Sequence, residues 1–548
     1  MSAGRRRAPG RRMQWAVVAG GGVVVAGAAA LTVAFWPAGD SGEPAGARVP
    51  STGTPVTASS TAPTPTSAAP SPTRTYPLSQ TPLTIPAVRE HTPARGPGWR
   101  PATGARVVVA DSELADEGRL LAGELKLSYA GETESRSGDV ELGLDDTTSG
   151  VESYTLTVKS GRVTITAPGD AGVFYGTRTL KQAVHGGGTA PEGVVRDRPA
   201  KPQRGFMLDI ARKHFTADWI EDRVRELGDL KFNQLGLHFS DDQGFRIESD
   251  THPEIVSKQH LSKAQVRGIL DLAASRHITV VPEIDSPGHL GAVLAAHPEL
   301  QLRNAQGVAS QGSIDISQQA SADLVDELLN EFADLFPGAY WHLGGDEYRA
   351  LMVANPAASY PQLVTAAVNT YGSGAGIADL ATGWLNDRAE VMHGHDRTLR
   401  AWNDGFFPGG QVQADSDLQV AYWTGKEIGA RKPVEYLDAG RELINYNDEY
   451  LYYVLGQPQT FVYPTGQRIY EQWTPLVVRG TTAVPAKYDG QILGGTFAVW
   501  CDLAASQTQD QVAAGIRMPL RATVQKLWAP GRPALSWTAF RELADRLG

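Results

Sequence analysis

Eight short apolar segments between residues 204 and 500 constrain the fold of this chain more than any other feature. Each has the length of a strand and ends in polar or aromatic residues, and segments of helical period such as ADWIEDRVRELGDL lie between them. Eight strand–helix units in succession predict an α/β fold of the (β/α)8 TIM-barrel class. The candidate strands are RGFMLDI (204–210), FNQLGLHFSDD (232–242), ITVVPEID (278–285), AYWHLGGDE (339–347), TLRAWND (398–404), LQVAYWT (418–424), ELINYN (442–447) and LGGTFAVW (493–500).

The main alternative architecture is a doubly wound α/β sheet. Such a sheet usually carries a glycine-rich phosphate-binding loop, and the sequence contains neither GxGxxG nor GxxxxGKS. We therefore expect the barrel. Because this fold assembles its active site at the carboxyl ends of the strands, the polar residues at those ends are candidates for one shared cleft.

Residues 83–199 precede the predicted barrel (200–548) and have the features of a small α+β domain. Residues 154–158 and 163–167 alternate apolar with polar side chains on either side of a short turn, which predicts a hairpin with one buried face. A segment of helical period follows the hairpin. Because this region carries no HExxH pair, we expect it to support the barrel and not to bind a catalytic metal.

The N-terminal 82 residues differ in composition from the rest of the chain. Arginines within residues 1–12 precede an uncharged run from Trp15 to Trp36, which as a helix would be about 33 Å long and could cross a hydrocarbon core of about 30 Å. A cleaved signal peptide over residues 1–36 is the alternative. Its apolar region usually spans only about 7–15 residues, but glycines weaken the hydrophobicity of the run and keep this alternative open. Residues 37–82 are rich in Pro, Ser and Thr and predict a disordered linker. We expect an extracellular protein, anchored at the cell surface through the membrane or secreted.

Charge and cysteine content exclude several classes of partner and cofactor. A net charge of -10 and a pI of about 5.7 argue against binding to nucleic acid. The single cysteine, Cys501, cannot form an intrachain disulfide, a cysteine-based zinc site or an iron–sulfur cluster. The compact histidine pair His393 and His395 falls in a predicted loop, so we expect neither a catalytic metal nor another cofactor.

The segment WHLGGDEY (341–348) places two adjacent carboxylates, Asp346 and Glu347, at a predicted strand end. A retaining glycosidase with an enzyme nucleophile needs two carboxyls on opposite faces of the scissile bond, about 5 Å apart, and adjacent residues are poorly placed for this. If both face the cleft, one can protonate a leaving group while the other holds a group of the substrate. The charge of the neighbour would raise the pKa of the acid. An ordinary Asp-Glu pair at a strand end is the alternative for the dipeptide alone.

The motifs of the chain, from about residue 85 to 548, resemble those of the β-N-acetylhexosaminidases of glycoside hydrolase family 20. The resemblance is specific because the motifs occur in order and at successive strand ends. It implies cleavage of terminal β-linked N-acetylhexosamine (GlcNAc or GalNAc) with retention, in which the acetamido oxygen of the substrate attacks the anomeric carbon and forms an oxazolinium ion. The motifs are ESYTLTV and GVFYGTRTLKQ in the small domain, and RGFMLDIARKHF, LHFSDDQGFRIE, VVPEIDSPGHL, WHLGGDE, RAWNDG, NYNDEYLYY and GGTFAVWCD in the barrel.

The resemblance implies roles for the carboxylates and their neighbours. Glu347 would be the general acid and then the base that activates water. Asp346 would orient the acetamido nitrogen and offset the charge that develops on it. Asp241 and His289 match a pair that positions the acid, and Tyr450 matches a tyrosine that donates to the acetamido oxygen.

The resemblance also implies the walls of the sugar-binding pocket. Trp402, Trp423 and Trp500 match aromatic residues that enclose the acetamido methyl and stack on the sugar ring; without the resemblance, they would be assigned to the barrel core. Arg204 matches an arginine that binds sugar hydroxyls, and its alternative assignment is a structural salt bridge.

Two positions depart from the pattern of many family members. Tyr452 stands where they carry the aspartate of Tyr-Leu-Asp, and Asp502 stands where they carry the glutamate of Trp-x-Glu. Several motifs are closer to dispersin-like hydrolases of poly-N-acetylglucosamine and to lacto-N-biosidases. We therefore predict an exo-β-N-acetylhexosaminidase, with a lacto-N-biosidase or dispersin-like enzyme as the alternative and a non-catalytic surface carbohydrate-binding protein as an alternative of a different class.

Overall fold

A computed structural model of the chain describes residues 75–146, 148–426 and 430–548. The predicted anchor or signal peptide (1–36) and most of the predicted linker (37–82) lie outside the described residues. Within the described ranges, none of the helices combines the length and the apolar character needed to cross a membrane.

The last residues of the predicted linker are ordered against the small domain, which corrects the linker boundary. Ser79 donates its backbone N–H to Ala94 O at 3.0 Å, and Leu78 forms an isolated antiparallel bridge with Arg95. Composition alone placed this segment in the linker, but its backbone pairs with the first strand region of the domain.

The small domain is a seven-stranded mixed sheet with helices packed against it. Its strand order is β1-β7-β5-β6-β4-β2-β3, and the predicted hairpin is the antiparallel pair β5–β6. Its elements are β1 (Glu90–Pro93), β2 (Arg106–Val109), α1 (Ala115–Leu125), β3 (Ser128–Tyr129), β4 (Val140–Leu144), β5 (Tyr154–Lys159), β6 (Arg162–Ala167), α2 (Asp170–Gly187) and β7 (Gly193–Asp197).

The remainder of the chain alternates strands with helices. Its elements are β8 (Gln203–Asp209), α3 (Ala217–Asp229), β9 (Gln234–His238), β10 (Ser240–Asp241), β11 (Gly244–Phe245), α4 (Lys263–Ala274), β12 (Thr279–Glu283), α5 (Gly291–Ala296), β13 (Gln301–Arg303), β14 (Ala309–Ile314), α6 (Gln319–Leu335), β15 (Tyr340–His342), α7 (Pro356–Ser359), α8 (Pro361–Tyr371), α9 (Ile377–His393), β16 (Thr398–Trp402), β17 (Gln419–Tyr422), α10 (Pro433–Asp438), β18 (Leu443–Asn445), β19 (Tyr452–Val454), α11 (Gly466–Gln472), β20 (Ile492–Trp500), α12 (Gln509–Trp528) and α13 (Trp537–Leu547).

Eight of these strands close into a parallel barrel, which confirms the predicted fold class. They pair in the order β8-β9-β12-β15-β16-β17-β18-β20, and β20 returns to β8 in parallel register. Each of the eight strand segments predicted from the sequence overlaps one of them, and β8 and β20 begin one residue earlier than predicted. Strand β19 is an addition, since it extends the sheet beside the carboxyl half of β20 through the pair Tyr452 and Ala498. The carboxyl ends of the eight strands therefore surround one opening.

The small domain packs firmly against the barrel. Trp528, the last residue of α12, is fully buried in the apolar core of the small domain and donates its indole N–H to Asp197 at 3.0 Å. Lys231 of the barrel is also fully buried and donates to the Tyr154 hydroxyl at 2.9 Å. Buried charges that cross the interface make the two domains one structural unit.

Candidate active site

A cavity of about 410 Å³ opens at the carboxyl ends of the barrel strands. Its size is in the range of small-molecule sites, about 300–1,000 Å³. Six of the residues predicted for the site lie in its wall: Asp346, Glu347, His289, Trp423, Trp500 and Asp502. Other wall residues include Arg212, His238, Asp285, Lys426, Asp448, Tyr452 and Phe461. The strand ends thus bring most of the predicted residues together, as the fold requires.

The loop after β15 has backbone conformations that few residue types other than glycine adopt readily. Gly344 and Gly345 have φ values of 70° and 101°, and Glu347 has a φ of 47°. A side chain on Gly344 would overlap the carboxylate of Asp285, which accepts the Gly345 N–H at 2.8 Å. The two glycines let the chain turn sharply, so that Asp346 and Glu347 both face the cavity although they are adjacent.

Asp346 lies at the floor of the cavity, beside other carboxyls. It is 9% exposed and shares a hydrogen bond with Asp285, so one of the two carboxyls must carry a proton. Burial raises the pKa of Asp346 well above 3.8, and the charges of Asp285 and Asp404 add to the effect. Burial also raises the pKa of Asp285 to about 7. The floor of the site therefore holds a proton that an isolated aspartate would have lost.

Glu347 lies nearer the mouth, with 30% of its side chain exposed, and faces a histidine. His289 Nε2 is 3.5 Å from Glu347 Oε2, and His289 Nδ1 is 3.3 Å from Asp241 Oδ2. Burial disfavours the imidazolium, but the carboxylates of Asp346 and Asp241 outweigh burial and raise the pKa of His289 well above 6.5. The geometry links Asp241, His289 and Glu347 in one chain of contacts.

The interaction with His289 lowers the pKa of Glu347 below 4.5. The prediction that the neighbouring Asp346 would raise the pKa of this acid is therefore wrong. The physical reason is the balance of neighbours around each carboxyl. At Asp346, burial and the charges of Asp285 and Asp404 outweigh His289, which is 3.7 Å away, whereas at Glu347 the hydrogen bond from His289 dominates.

Aromatic rings form one side of the cavity. Trp423 stacks on Tyr452 with 5.8 Å between ring centroids and 9° between planes, and Phe461 continues the stack at 6.3 Å from Tyr452. Trp423 Nε1 donates to Asp404 Oδ1 at 2.9 Å, which holds the indole in place. Trp500 completes this wall, 5.8 Å from Tyr452. Flat apolar faces of this kind suit the faces of sugar rings and a methyl group.

Trp402 does not line the cavity, which corrects its assignment as a wall residue. It is 1% exposed, donates its indole N–H to Glu283 at 2.7 Å and lies 5.9 Å from the Trp500 ring. Trp402 therefore supports the wall from the barrel core.

Arg204 lies outside the cavity and binds the small domain. Its side chain is fully buried at the amino end of β8, where it forms a salt bridge with Glu152 at 2.7 Å. Two arginines line the cavity, Arg349 and Arg212, and Arg212 lies three residues beyond the carboxyl end of the same strand. Arg212 is 3.0 Å from Asp209 and 2.8 Å from Asp241. It also interacts electrostatically with Asp502. The rule that sites form at carboxyl strand ends would have selected Arg212.

Tyr450 is also outside the cavity. It is 2% exposed and packs under the guanidinium of Arg468, 4.3 Å from its ring centroid. Tyr452, two residues later in the same motif, supplies the tyrosine of the wall because β19 joins the sheet there and carries its side chain to the cavity. Burial, and then the charge of Asp346, raise the pKa of the Tyr452 hydroxyl well above 10, so it remains a hydrogen-bond donor.

The described residues of the site include one group that could contact a metal. Asp285, His289 and Asp346 place donor atoms within 4.8 Å of one another. The predicted loop histidines lie elsewhere: His393 contacts Asp415 at 3.1 Å and His395 contacts Asn330 at 2.8 Å.

Two family models match consecutive parts of the chain. The model of the glycosyl hydrolase family 20 catalytic domain matches residues 202–522, and the model of domain 2 of that family matches residues 81–198. These ranges correspond to the barrel and to the small domain.

Curated relatives and solved structures share this organisation. The lacto-N-biosidase of Bifidobacterium bifidum is 29% identical over 86% of this chain and 42% of its own length. A β-N-acetylhexosaminidase of Cellulomonas fimi is 32% identical over 37% of this chain and 45% of its own. The chain therefore spans less than half the length of these two relatives.

Among solved structures, the family 20 β-N-acetylhexosaminidase of Streptomyces coelicolor A3(2) has a TM-score of 0.67 and 25% identity, and covers 86% of this chain and 96% of its own. A mutant Streptomyces plicatus β-hexosaminidase in complex with its product GlcNAc has a TM-score of 0.68 and 26% identity, and covers 87% and 95%. The order of domains, the barrel and the family models agree, and the chain belongs to glycosyl hydrolase family 20.

Proposed function

We propose that this chain is a β-N-acetylhexosaminidase, a glycosidase that removes terminal β-linked GlcNAc or GalNAc with retention of configuration. The observation that carries the proposal is that the adjacent residues Asp346 and Glu347 lie in different environments. Asp346 is buried among carboxyls at the cavity floor, whereas the Glu347 side chain is partly exposed at the mouth beside His289. Such a pair suits a reaction in which the substrate supplies its own nucleophile.

In the first step, Glu347 gives its proton to the glycosidic oxygen as the bond from that oxygen to the anomeric carbon breaks. The acetamido oxygen forms the new bond to the anomeric carbon, and an oxazolinium ion results. A sugar in the cavity would exclude water from Glu347 and raise its pKa, which offsets the lowering by His289. In the second step, Glu347 takes a proton from water as the water oxygen attacks the anomeric carbon, and the bond from that carbon to the acetamido oxygen breaks and restores the acetamido group.

The remaining wall residues support the sugar in defined ways. With the proton of the carboxyl pair on Asp285, the Asp346 carboxylate accepts the acetamido N–H and stabilises the positive charge that develops on the nitrogen. The Tyr452 hydroxyl is the donor available to the acetamido oxygen, and Trp423 and Trp500 enclose the methyl group. Arg212 and Asp502 lie together where they can bind ring hydroxyls.

The second candidate function is release of a disaccharide, as in a lacto-N-biosidase. Two observations favour it: the B. bifidum lacto-N-biosidase aligns over 86% of this chain, and position 452 carries a ring in place of a carboxylate. A carboxylate binds the hydroxyls of a terminal sugar, whereas a ring can stack on a second sugar. Tyr452 lies between Trp423 and Phe461 in the stack.

Three aryl substrates distinguish these functions: β-N-acetylglucosaminide, β-N-acetylgalactosaminide and β-lacto-N-bioside. Hydrolysis of the monosaccharide substrates supports the first proposal, and hydrolysis of the lacto-N-bioside alone supports the second. If the protein binds glycans with saturation but cleaves none of the three substrates or poly-N-acetylglucosamine, both proposals are wrong and a binding protein remains.

The correction of the arginine assignment leads to a paired prediction. We expect Arg212→Ala to lower kcat/KM by about 10–100-fold, because charge-assisted hydrogen bonds contribute about 1.5–3 kcal/mol. We expect Arg204→Ala to lower the melting temperature and to leave kcat/KM of the folded protein unchanged, since Arg204 holds Glu152 at the domain interface.

Steady-state kinetics and thermal unfolding of both variants check this prediction, with Arg212→Lys as the conservative control. The assay is done at a temperature at which all variants are folded. A large loss of kcat/KM in Arg204→Ala without a change in melting temperature would contradict the assignment.

The proposed site of action is outside the cell. The support is compositional, since arginines precede an apolar run in residues 1–36 and a Pro/Ser/Thr-rich segment follows. Fractionation of cells that express the full chain tests this proposal: activity at the surface or in the medium supports it, and activity confined to the cytoplasm contradicts it.

A further inference from the structure

Two copies of the tripeptide His-Pro-Glu lie close together in segments that follow strands β11 and β12. The first, His252 to Glu254, lies between β11 and α4, and the second, His297 to Glu299, follows α5. Each histidine precedes a short 3-10 turn, and their backbones match, with φ and ψ of -131° and 63° at His252 and -121° and 60° at His297. The two imidazole rings are 5.9 Å apart and nearly perpendicular.

Glu254 lies between the two imidazoles. Its Oε1 atom is 2.9 Å from His252 Nδ1 and 3.0 Å from His297 Nε2. One carboxylate oxygen thus contacts one nitrogen of each histidine, and all three donor atoms lie within 4.8 Å of one another.

The far nitrogen of each imidazole faces another carboxylate. His252 Nε2 is 3.0 Å from Glu327 Oε2 on α6, and His297 Nδ1 is 3.5 Å from Glu299 Oε1. Histidines that bind metals show this arrangement, with one nitrogen on the ion and the other donating to a carboxylate that orients the ring. Each histidine of the pair therefore has an outer partner of the kind that a metal ligand needs.

We propose that His252, Glu254 and His297 form a zinc site outside the active-site cavity. Tetrahedral Zn²⁺ with ligands at about 2.0–2.2 Å requires ligand atoms about 3.3 Å apart, and the observed contacts of 2.9 and 3.0 Å need only a small expansion. Imidazole nitrogens favour zinc over magnesium or calcium, which prefer oxygen ligands. With three protein ligands, the fourth position is open to water.

Burial and charge also suit a dication. The side chains of His252 and His297 are 12% and 22% exposed, so the rings are held in place, whereas Glu254 is 44% exposed and leaves a path for the ion. The nearby cation Lys263 is already paired with Asp250 and Glu331. Three glutamates, Glu254, Glu299 and Glu327, face the two imidazoles and supply negative charge to the cluster.

A bound zinc ion would act as a structural cross-link. It would join the 252–254 turn to the 297–299 turn, and Glu327 would connect both to α6. Helix α5, which ends at Ala296, begins two residues after His289 of the active site. The bound ion would therefore stabilise the segment that contains His289, although the ion itself would not contact the substrate.

The test uses the full chain without a histidine tag, freed of metals with EDTA and titrated with Zn²⁺ by calorimetry and by thermal unfolding. We expect one Zn²⁺ per chain and a rise in melting temperature. His252→Gln and His297→Gln should each weaken binding by at least about tenfold. The matched control is His260→Gln, because His260 is an exposed histidine that bonds Ser257 O and lies outside the cluster.

Unfolding of each variant in EDTA establishes that it folds before titration, and Glu254→Gln is a second variant that keeps both rings. The proposal is overturned if Zn²⁺ shows no saturable binding, since the cluster is then an ion-pair network only. It is also overturned if binding survives both histidine substitutions or is lost in His289→Gln alone, which would place the ion in the active site.

Discussion

Replacement of Glu347 with glutamine lowers kcat/KM on the preferred aryl N-acetylhexosaminide by about 10²–10⁴-fold, the usual contribution of a positioned general acid and base. Glutamine keeps the shape of the side chain and its contact with His289, but it has no proton to give to the leaving oxygen. Because the backbone at residue 347 is unchanged, we expect the melting temperature to remain close to that of the wild type.

The choice of leaving group makes this prediction specific to proton donation. An aryl group with an acidic phenol leaves without much help, so the deficit of Glu347→Gln should be smallest with dinitrophenyl and largest with an alkyl or sugar leaving group. Steady-state kinetics across such a series check the role. An equal deficit for every leaving group would contradict the assignment of Glu347 as the acid.

Replacement of Asp346 with asparagine lowers kcat by about 10²–10³-fold, the scale of one preorganised group that stabilises developing charge. Asparagine can still accept the acetamido N–H, but it does not offset the charge on nitrogen. The loss should fall mainly on kcat, because that charge is largest in the transition state.

The same replacement should stabilise the protein, in a manner that depends on pH. Folding raises the pKa of Asp346 well above 3.8, so the protonated carboxyl contributes fully below that value and its contribution is lost as the pH rises through the folded pKa. Asparagine does not titrate. We therefore expect Asp346→Asn to gain on the order of 0.5–2 kcal/mol at pH 8 and little at pH 4.

Thermal unfolding of wild type and Asp346→Asn at the two pH values measures this gain. Asp323→Asn on the exposed face of α6 is a matched control for the change of charge. A variant that is less stable than the wild type at pH 8 would show that the buried carboxyl is favourably ionised, contrary to the account.

The barrel could be predicted from the sequence because its strands carry two independent signals. Segments such as ITVVPEID and AYWHLGGDE combine an apolar run with polar residues at one end, and the structure places both ends at the cavity. The position of Asp346, Glu347 and His289 in one cleft follows from this strand-end rule.

Individual side chains within a motif were harder to assign. Arg204 and Arg212 both belong to RGFMLDIARKHF, but a strand separates them, so one lies at the domain interface and the other in the cavity. Tyr450 and Tyr452 are two residues apart, and the short strand β19, which decides between them, has no clear sequence pattern. Motif resemblance identifies the segment, and only backbone geometry identifies the residue.

The electrostatics of the carboxylate pair depend on residues that are distant in sequence. Adjacency of Asp346 and Glu347 indicates mutual repulsion, but Asp285 and His289 from the loop after β12 determine which carboxyl keeps a proton. The segment WHLGGDEY contains neither Asp285 nor His289. The pKa order of the pair is therefore a property of the closed barrel.

The central claim is that the acetamido oxygen of the substrate is the nucleophile. The most direct test is a series of the cleaved aryl substrate in which the N-acyl methyl carries zero, one, two or three fluorines, which make the acyl oxygen progressively less nucleophilic. Substrate-assisted catalysis predicts that kcat falls steeply and steadily along the series, with the β-anomer as the first product by NMR. A kcat that does not change with fluorination, or an α-anomer as the first product, would contradict it.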